Sequence, residues 1–256
     1  MASEVVRTSR GSIVAVMRLR LTVGSRSVQI GGAAIDTATV TLIDLAKQRA
    51  ADLLECAAED VVLDTDRAVF HVAGTPARTV DWSALAGSNG DALRAECDFT
   101  PEMPTFPFGA HLAVVEVDTE TGHTRLTRLV ALDDAGKILN PLLAEGQVHG
   151  GIAQGVAQAL FEAVRYSDDG QPQTTNFADY LVISAPELPS FEVVHMETPT
   201  FANPLGAKGV GEAGTLGSTP CIVNAAVDAL SPLGVKHIDM MLRPEKLWRI
   251  IQGGRS

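Results

Sequence analysis

Residues 208–215 read KGVGEAGT, a short loop in which glycines frame a single carboxylate, Glu212. Glycine admits positive φ and lets a backbone approach a ligand closely, because it has no Cβ. We therefore interpret Glu212 as an acid held for work on something bound at this loop. The structural alternative is a surface turn with an incidental glutamate, which is the more common meaning of an isolated glycine-rich loop.

A second glycine-rich segment, EGQVHGGIAQGVAQ at residues 145–158, weakens that alternative. Its three glutamines are spaced by seven and four residues, so on a helix they lie within roughly 40° of one another. These glutamines are Gln147, Gln154 and Gln158. Gly151 and Gly155 fall near the same stripe, and each mid-helix glycine costs about 1 kcal/mol relative to alanine. Two explanations stay open: close packing against another element, or a helix face pressed against a planar polar ligand.

A third segment, GSRS at residues 24–27, comes shortly before the first predicted helix and is followed by QIGG. Hydroxyls, backbone amides and the positive end of a helix together suit an anion such as a phosphate. The alternative is a helix cap, made by Ser27 or a neighbouring residue, with Gly31 and Gly32 as a tight turn. If the three segments converge, they form a pocket with phosphate-binding groups, amides and one acid.

Composition limits the function classes. The chain has 256 residues, of which 46% are hydrophobic and 20% charged, as in ordinary globular proteins. A net charge of -11 argues against nucleic-acid or anionic-membrane surfaces, and no apolar run approaches the length of a membrane span. The three cysteines, Cys56, Cys97 and Cys221, form no CxxC pair, so neither a disulfide framework nor a local metal site is indicated. We expect a cytoplasmic protein.

The hydrophobic pattern predicts an α+β fold, with mixed or antiparallel sheets and packed helices. Residues 1–20 contain four arginines and no clear hydrophobic period, so we leave them outside the fold proper. The domain is predicted over residues 21–252, with an irregular break near 73–95. Helices are predicted at 33–56, 146–164, 220–230 (capped by Ser218 or Thr219) and 244–251; strands at 61–63, 68–72, 111–118, 124–132 and 191–198.

Several long stretches resemble the molybdenum-cofactor large subunit of the xanthine dehydrogenase, aldehyde oxidase and aerobic carbon monoxide dehydrogenase family. The resemblance runs from residue 96 to about residue 248 and includes residues 24–32, in the family's order. The matching text is PTFPFGAHLAVVEVDTETG (104–122), NPLLAEGQVHGGIAQGVAQAL (140–160), ETPTFANPLGAKGVGEAGTLG (197–217), GVKHIDMMLRPEKLW (234–248), and GSRS with QIGG. The resemblance implies the fold of the C-terminal, second molybdopterin-binding domain.

The resemblance also implies roles for the loops. Glu212 matches the family's catalytic base beside molybdenum, and Gln147 matches a cofactor contact. The cofactor implied is molybdopterin dinucleotide, in its cytosine form, while copper stays undecided. Its phosphates would touch Gly24, Ser25, Arg26 and Ser27. Lys208, Gly209, Val210 and Gly211 would shape the wall around Glu212.

The resemblance leaves the N-terminal half of the family's large subunit unmatched, including a GGGFG-type loop. We therefore expect a shortened chain, whose turnover of a small-molecule substrate needs that half and the family's iron–sulfur and FAD subunits. The alternative is a catalytically inactive truncated fragment that acts at most as a binding or assembly module. A third hypothesis, an unrelated hydrolase with Glu212 as base, has no Ser–His–Asp signature to support it. The substrate class stays open among carbon monoxide, aldehydes and N-heterocycles.

Overall fold

A computed structural model describes residues 4–7, 13–17, 23–87 and 93–253 of the chain. The chain divides into two compact units. Unit 1 comprises the chain up to Pro104 together with Phe201–Gly206, and unit 2 comprises Thr105–Thr200 and the chain from Ala207 onward. The units divide after Pro104, whereas a domain break near 73–95 and a division at residues 20 and 21 stay predictions.

Unit 1 is organised around helix α1, Ala33–Leu54, which a π-helical turn over Ser27–Gly32 precedes. This matches the helix predicted at 33–56. Helix α1 packs against two three-stranded sheets. Its buried alanines are small, so the helix can lie close to both sheets. The core of unit 1 is Leu42, Ala46, Ala50, Ala51, Leu54, Val61, Phe70, Leu85, Leu93 and Ala95.

One sheet of unit 1 is an antiparallel meander of β3 (Val61–Asp64), β4 (Val69–Val72) and β5 (Thr75–Asp81). Helix α2, Trp82–Gly87, follows β5 directly. Within the predicted irregular break, the prediction was therefore wrong over residues 75–87, while residues 88–92 lie outside the described part of the chain. Strand β5 lies at the sheet edge and is almost entirely exposed, so it shows no hydrophobic alternation, and an edge strand tolerates Pro76.

The other sheet of unit 1 joins β1 (Glu4–Arg7), β2 (Ile13–Met17) and β6 (Leu93–Glu96). Strand β1 pairs antiparallel with β2, and β2 pairs parallel with β6. Two strands thus fall within residues 1–20, which the sequence pattern left outside the fold. Strand pairing is made by backbone groups, so it does not require a long hydrophobic period in the added strand.

Unit 2 contains a three-stranded sheet in the order β7–β8–β9. Strands β7 (Phe108–Val117) and β8 (Thr124–Asp134) form an antiparallel hairpin, and β9 (Phe191–Met196) pairs parallel with β8. The hairpin predicted from 111–118 and 124–132 is confirmed. Its turn uses Gly122 at φ 76°, the left-handed conformation that glycine adopts without a Cβ clash.

Three helices pack with this sheet: α3 (Pro141–Leu160), α4 (Ala213–Leu230) and α5 (Pro244–Gly253). Helix α3 begins five residues before its predicted start, because the side chain of Asn140 accepts a hydrogen bond from the backbone N–H of Leu143. The core of unit 2 includes Leu126, Leu129, Ala131, Val148, Ile152, Val156, Ile222, Ala226, Leu242, Leu247 and Ile251. In the described part of the chain, none of the helices is long and apolar enough to cross a membrane.

The start of α4 corrects a prediction. Sequence reasoning placed Pro220 in the first turn, with Ser218 or Thr219 as the cap. Helix α4 instead begins at Ala213, and Pro220 lies inside it. The hydroxyls of Ser218 and Thr219 donate within the helix, to the carbonyls of Gly214 at 2.6 Å and Thr215 at 2.9 Å. The seven added residues, 213–219, place the start of α4 directly after Glu212.

Candidate functional site

Glu212 is the residue immediately before α4. Its backbone is helical (φ -110°, ψ -13°), and its carbonyl accepts a hydrogen bond from the N–H of Leu216 at 3.1 Å. The side chain is exposed and makes no capping hydrogen bond with the helix. The structure thus holds the backbone of Glu212 firmly, while its carboxylate stays available to an external group.

Lys208 lies four residues before Glu212, and its side chain points into unit 2. Its Nζ lies 2.5 Å from Oδ2 of Asp134 and 2.7 Å from Oγ1 of Thr198. Only 11% of the Lys208 side chain is exposed, and none of that of Asp134. The backbone N–H of Lys208 also donates to the carbonyl of Ala135 at 2.8 Å. The ammonium group therefore contacts Asp134 at the end of β8 and Thr198 after β9, and it lies 5.4 Å from the centre of the Phe108 ring. A contact between Lys208 and a cofactor stays a prediction.

Asp134 is a residue that sequence reasoning did not assign to the site. Its carboxylate accepts hydrogen bonds from the backbone N–H groups of Gly136 (3.0 Å) and Thr198 (2.8 Å), and from the Thr198 hydroxyl (2.6 Å). Burial acts to raise the pKa of Asp134, but the hydrogen bonds from Lys208, Thr198 and Gly136 hold it below its ordinary value. Two consecutive acids ending an apolar strand were the available signal, since buried acids require partners.

The preceding acid, Asp133, forms a second buried pair on the opposite face of β8. Nε2 of His111 lies 3.1 Å from its Oδ1, and both side chains are at least 97% buried. The His111 ring packs against Gly217 of α4, where a Cβ would lie only 2.5 Å from ring atoms. This pair explains why α4 carries a glycine over the sheet.

The second predicted segment lies on α3, which crosses α4 at very short range. A Cβ on Gly214 would lie 2.6 Å from the carbonyl oxygen of Val148 and 2.8 Å from the nitrogen of Ile152. The hydroxyl of Thr215 donates to the carbonyl of Gly151 at 2.8 Å. Because Gln147 is one turn before Gly151, this crossing brings Gln147 and the segment that ends in Glu212 to the same end of the helix pair.

The glycines of α3 divide between two sides of the helix, and a ligand on the side with the open space stays a prediction. Gly151 and Gly155 face α4, where any Cβ would meet its atoms, so close packing explains them. A Cβ on Gly146 or Gly150 would meet nothing within 4 Å. The exposed glutamines Gln147, Gln154 and Gln158 lie along the border between these two sides, and Gln158 accepts a hydrogen bond from Thr219 at 3.2 Å.

The loop glycines do not use the conformation that sequence reasoning assigned to them. None of Gly209, Gly211 and Gly214 has a positive φ. Gly214 is required instead by its contact with the α3 backbone. Gly209 is buried, and Val210 packs against the core of unit 2, so this part of the loop is held as firmly as the elements beside it.

The third predicted segment belongs to unit 1. Gly24 (φ 60°) and Ser25 (φ 52°) adopt left-handed conformations, and the Ser25 carbonyl accepts a hydrogen bond from Nε2 of Gln29 at 3.0 Å. The π-helical turn that follows has no side-chain cap, and Gly31 and Gly32 are part of it. The capping role for Ser27 and the tight turn at Gly31 and Gly32 were therefore wrong. A role of Gly24, Ser25, Arg26 and Ser27 in binding phosphate stays a prediction.

The exposed polar side chains near the starts of α3 and α4 include the amide of Gln147 and the carboxylates of Glu145 and Glu212, with the partly exposed imidazole of His149 beside them. Within the residues that the structure describes, no group of three or more His, Cys, Asp or Glu side chains could hold a metal ion. Side-chain amides offer both donors and acceptors, which suits a planar heterocycle that carries both. The open space beside Gly146 and Gly150 leaves room for such a group. The donor set of unit 2 therefore fits the organic part of a cofactor.

Comparison with known proteins agrees with this chemistry. A family model described as a molybdopterin cofactor-binding domain matches residues 2–189. The chain therefore belongs to the family of molybdopterin cofactor-binding domains found in molybdenum hydroxylase large subunits. The family and the fold expected from the sequence are both confirmed. Lys208 and Glu212 lie beyond the residues that this family model matches, so it does not assign their roles.

Among curated relatives, the carbon monoxide dehydrogenase large chain of Afipia carboxidovorans is 35% identical over 90% of this chain and 29% of its own length. The nicotine 6-hydroxylase large subunit of Paenarthrobacter nicotinovorans is 33% identical over 91% of this chain and 30% of its own. The structure of quinoline 2-oxidoreductase from Pseudomonas putida 86 superposes with a TM-score of 0.82 at 36% identity, over 90% of this chain and 30% of that one. The chain thus spans about 30% of the length of these relatives.

Proposed function

We propose that this chain binds molybdopterin dinucleotide and supplies Glu212 as the base in an oxidative hydroxylation. The observation that carries the proposal is the placement of Glu212. Its backbone is held at the start of α4, its carboxylate is exposed, and the described residues give that carboxylate no hydrogen-bond partner. An ionised carboxylate has only acceptor sites, so unpartnered lone pairs are free to take a proton.

The chain's own residues would hold the cofactor in two places. In unit 2, the exposed amide of Gln147 would hydrogen-bond the pterin, beside the open space at Gly146 and Gly150. In unit 1, the backbone and hydroxyls of Gly24, Ser25, Arg26 and Ser27 would bind the phosphates, in the cytosine dinucleotide form of the cofactor. The cofactor, when bound, supplies the two-electron redox chemistry.

Glu212 would then accept the proton that the reaction releases. A base is effective only when its oxygen is held at hydrogen-bonding distance from that proton. Backbone contacts on both sides of Glu212 support this role, because they limit the movement of the residue that carries the carboxylate. The carbonyl of Glu212 is bonded to Leu216, and Gly214 fits closely against α3. The segment over Lys208, Gly209, Val210 and Gly211 would form the wall beside the reacting group.

The substrate and the partners follow from the relatives as proposals. Their names include carbon monoxide, nicotine and quinoline, so we propose a small electron-poor molecule as substrate. Because the chain spans about 30% of their length, we propose that polypeptide outside these residues completes the site. Electrons would leave through iron–sulfur and FAD subunits in the cytoplasm. Copper is not part of the proposal, because no described residue set favours it.

Metal and pterin analysis tests the binding half of the proposal. The chain is purified alone and after co-expression with the neighbouring genes, and its molybdenum and cytidine nucleotide contents are measured. We expect about one molybdenum per chain in the co-purified complex. Absence of molybdenum under both conditions would favour the alternative, a binding or assembly module without catalysis.

Substitution of the carboxylate tests the catalytic half. In the molybdenum-loaded complex, Glu212→Gln should retain the metal and lower dye reduction with carbon monoxide, nicotine or quinoline by a factor of about 100 or more. Asp228→Asn is the matched control, because Asp228 is an exposed carboxylate at the far end of the same helix. Full turnover by Glu212→Gln would remove Glu212 from the reaction.

A further inference from the structure

We propose that Asp134 is the positioning residue of the catalytic loop, acting through Lys208 to set where Glu212 stands. This inference rests on the proposed function of Glu212. It assigns a role to a buried acid at the end of strand β8, 78 positions earlier in the sequence than Glu212.

Asp134 joins three separate pieces of chain at one buried carboxylate. These are the turn after β8, through the N–H of Gly136; the chain after β9, through Thr198; and the loop itself, through Lys208. The Thr198 hydroxyl donates to Asp134 and accepts from Lys208, so the three side chains form a closed triangle. Such a network is satisfied in only one arrangement, and it therefore specifies the position of every segment that enters it.

Backbone contacts transmit this arrangement to the loop. In addition to the contacts of the ammonium group, the backbone N–H of Lys208 donates a hydrogen bond to the carbonyl of Ala135. Ala207 also forms an isolated antiparallel β-bridge with Gly136. At the other end of the loop, Gly214 and Thr215 contact the backbone of α3. Five residues, 209–213, connect these two attachments, a length of at most about 18 Å. A loop this short leaves Glu212 little freedom while both ends are held.

A second ion pair on the same sheet differs from the Asp134–Lys208 pair in burial and in the segments that it joins. Arg128 of β8 and Glu192 of β9 form a bidentate pair at 2.6 and 2.8 Å, with more than half of each side chain exposed. That pair links two strands that already share a ladder of hydrogen bonds, and water can replace it. The Asp134–Lys208 pair is buried and links a strand to a loop, so water cannot substitute for it without opening the site.

Hydrogen exchange of the 256-residue chain without cofactor tests the inference. The reporters are the backbone N–H of Lys208, bonded to Ala135, and that of Leu216, bonded to Glu212. In Lys208→Met we expect both amides to exchange at least about tenfold faster, with the ladder between β7 and β8 unchanged. Lys208→Arg should restore most of the protection, because it keeps the charge. Arg128→Met, the matched loss of an ion pair, should leave both reporters as in the unsubstituted chain.

A milder variant keeps the test decisive if Lys208→Met prevents folding. Thr198→Val preserves the side-chain shape and removes the hydroxyl that joins Asp134 to Lys208. It should accelerate exchange at the same two amides by a smaller factor. Unchanged exchange at Lys208 and Leu216 in a folded variant, or equal acceleration throughout unit 2, would overturn the proposal.

Kinetics of the molybdenum-loaded complex separate this proposal from the proposed function. A displaced base slows the chemical step, so Lys208→Met should lower kcat by about 100-fold while KM stays within about threefold, and Lys208→Arg should recover most of the rate. If Glu212→Gln abolishes turnover but Lys208→Met does not, the positioning role fails and the base stands. If Glu212→Gln retains turnover, the proposed function itself fails.

Discussion

The two sides of α3 use the same residue type for different purposes. On the side that faces α4, Gly151 and Gly155 allow the two backbones to meet, and a Cβ at either position would contact atoms of α4. On the open side, Gly146 and Gly150 have no neighbour within 4 Å of a would-be Cβ. The comparison shows that a glycine-rich helix is not by itself a ligand site. Packing explains one pair of glycines and leaves the other pair without a structural reason.

The largest effect is expected on the packed side. In Gly155→Ala, the new Cβ would overlap the buried hydroxyl of Ser218 and lie 3.0 Å from Oγ1 of Thr219. We expect the free energy of unfolding to fall by about 3 kcal/mol, as for other overpacked interiors. Urea denaturation of the variant and the unsubstituted chain measures the difference.

A second substitution checks that the loss comes from this contact. Adding Ser218→Ala to Gly155→Ala removes the overlapping hydroxyl, so the double variant should regain about 1 kcal/mol. The carbonyl of Thr215, at 3.1 Å from the new Cβ, would still be crowded, so recovery should be incomplete. No recovery in the double variant would mean that α4 already moves to accommodate the alanine.

A smaller effect of opposite sign is expected on the open side. Gly150→Ala adds a Cβ in open space within a helix, where alanine is favoured over glycine by about 1 kcal/mol. The free energy of unfolding should therefore rise by about that amount in the same urea experiment. A loss of stability at Gly150 would erase the distinction between the two sides of α3.

The smallest effect on stability is expected at Gln147, whose side chain is exposed and has no hydrogen-bond partner in the described part of the chain. Gln147→Ala should change the free energy of unfolding by less than about 0.5 kcal/mol. If the open side binds the pterin, the molybdenum content of the co-purified complex should nevertheless fall. Gln154→Ala, on the same stripe two turns further along, provides the comparison for an exposed amide farther from Glu212. Equal molybdenum content in both variants and the unsubstituted complex would argue against a contact at Gln147.

Much of the local structure could be predicted because its signals are local. The β7–β8 hairpin follows from two alternating runs around Gly122, and α1 follows from one long apolar period. The start of α4 could not be predicted in this way. Pro220 is a strong local signal for a helix start, but contact with α3 extends the helix back to Ala213. Tertiary packing outweighs a proline's local preference when the added turns are held on another element.

Only part of the candidate site could be predicted from the sequence, because some of its residues are connected only by tertiary contacts. Glu212 and Gln147 could be selected from the sequence because they stand in glycine-rich segments that resemble a known family. Asp134 could not, since its importance arises from contacts with residues 64 and 74 positions away. The buried contacts of Lys208 with Asp134 and Thr198 could not be predicted either, because they join residues far apart in the sequence.

The sequence by itself determined the family, the order of most helices and strands, and the acid proposed as the base. These depend on the identity and spacing of neighbouring residues, which the sequence displays directly. Only the tertiary structure decided which glycines of α3 serve packing, that α4 begins at Ala213, directly after Glu212, and that Asp134 pairs with Lys208. Those outcomes depend on which backbones meet and which charges are removed from water, and both are set by contacts between distant parts of the chain.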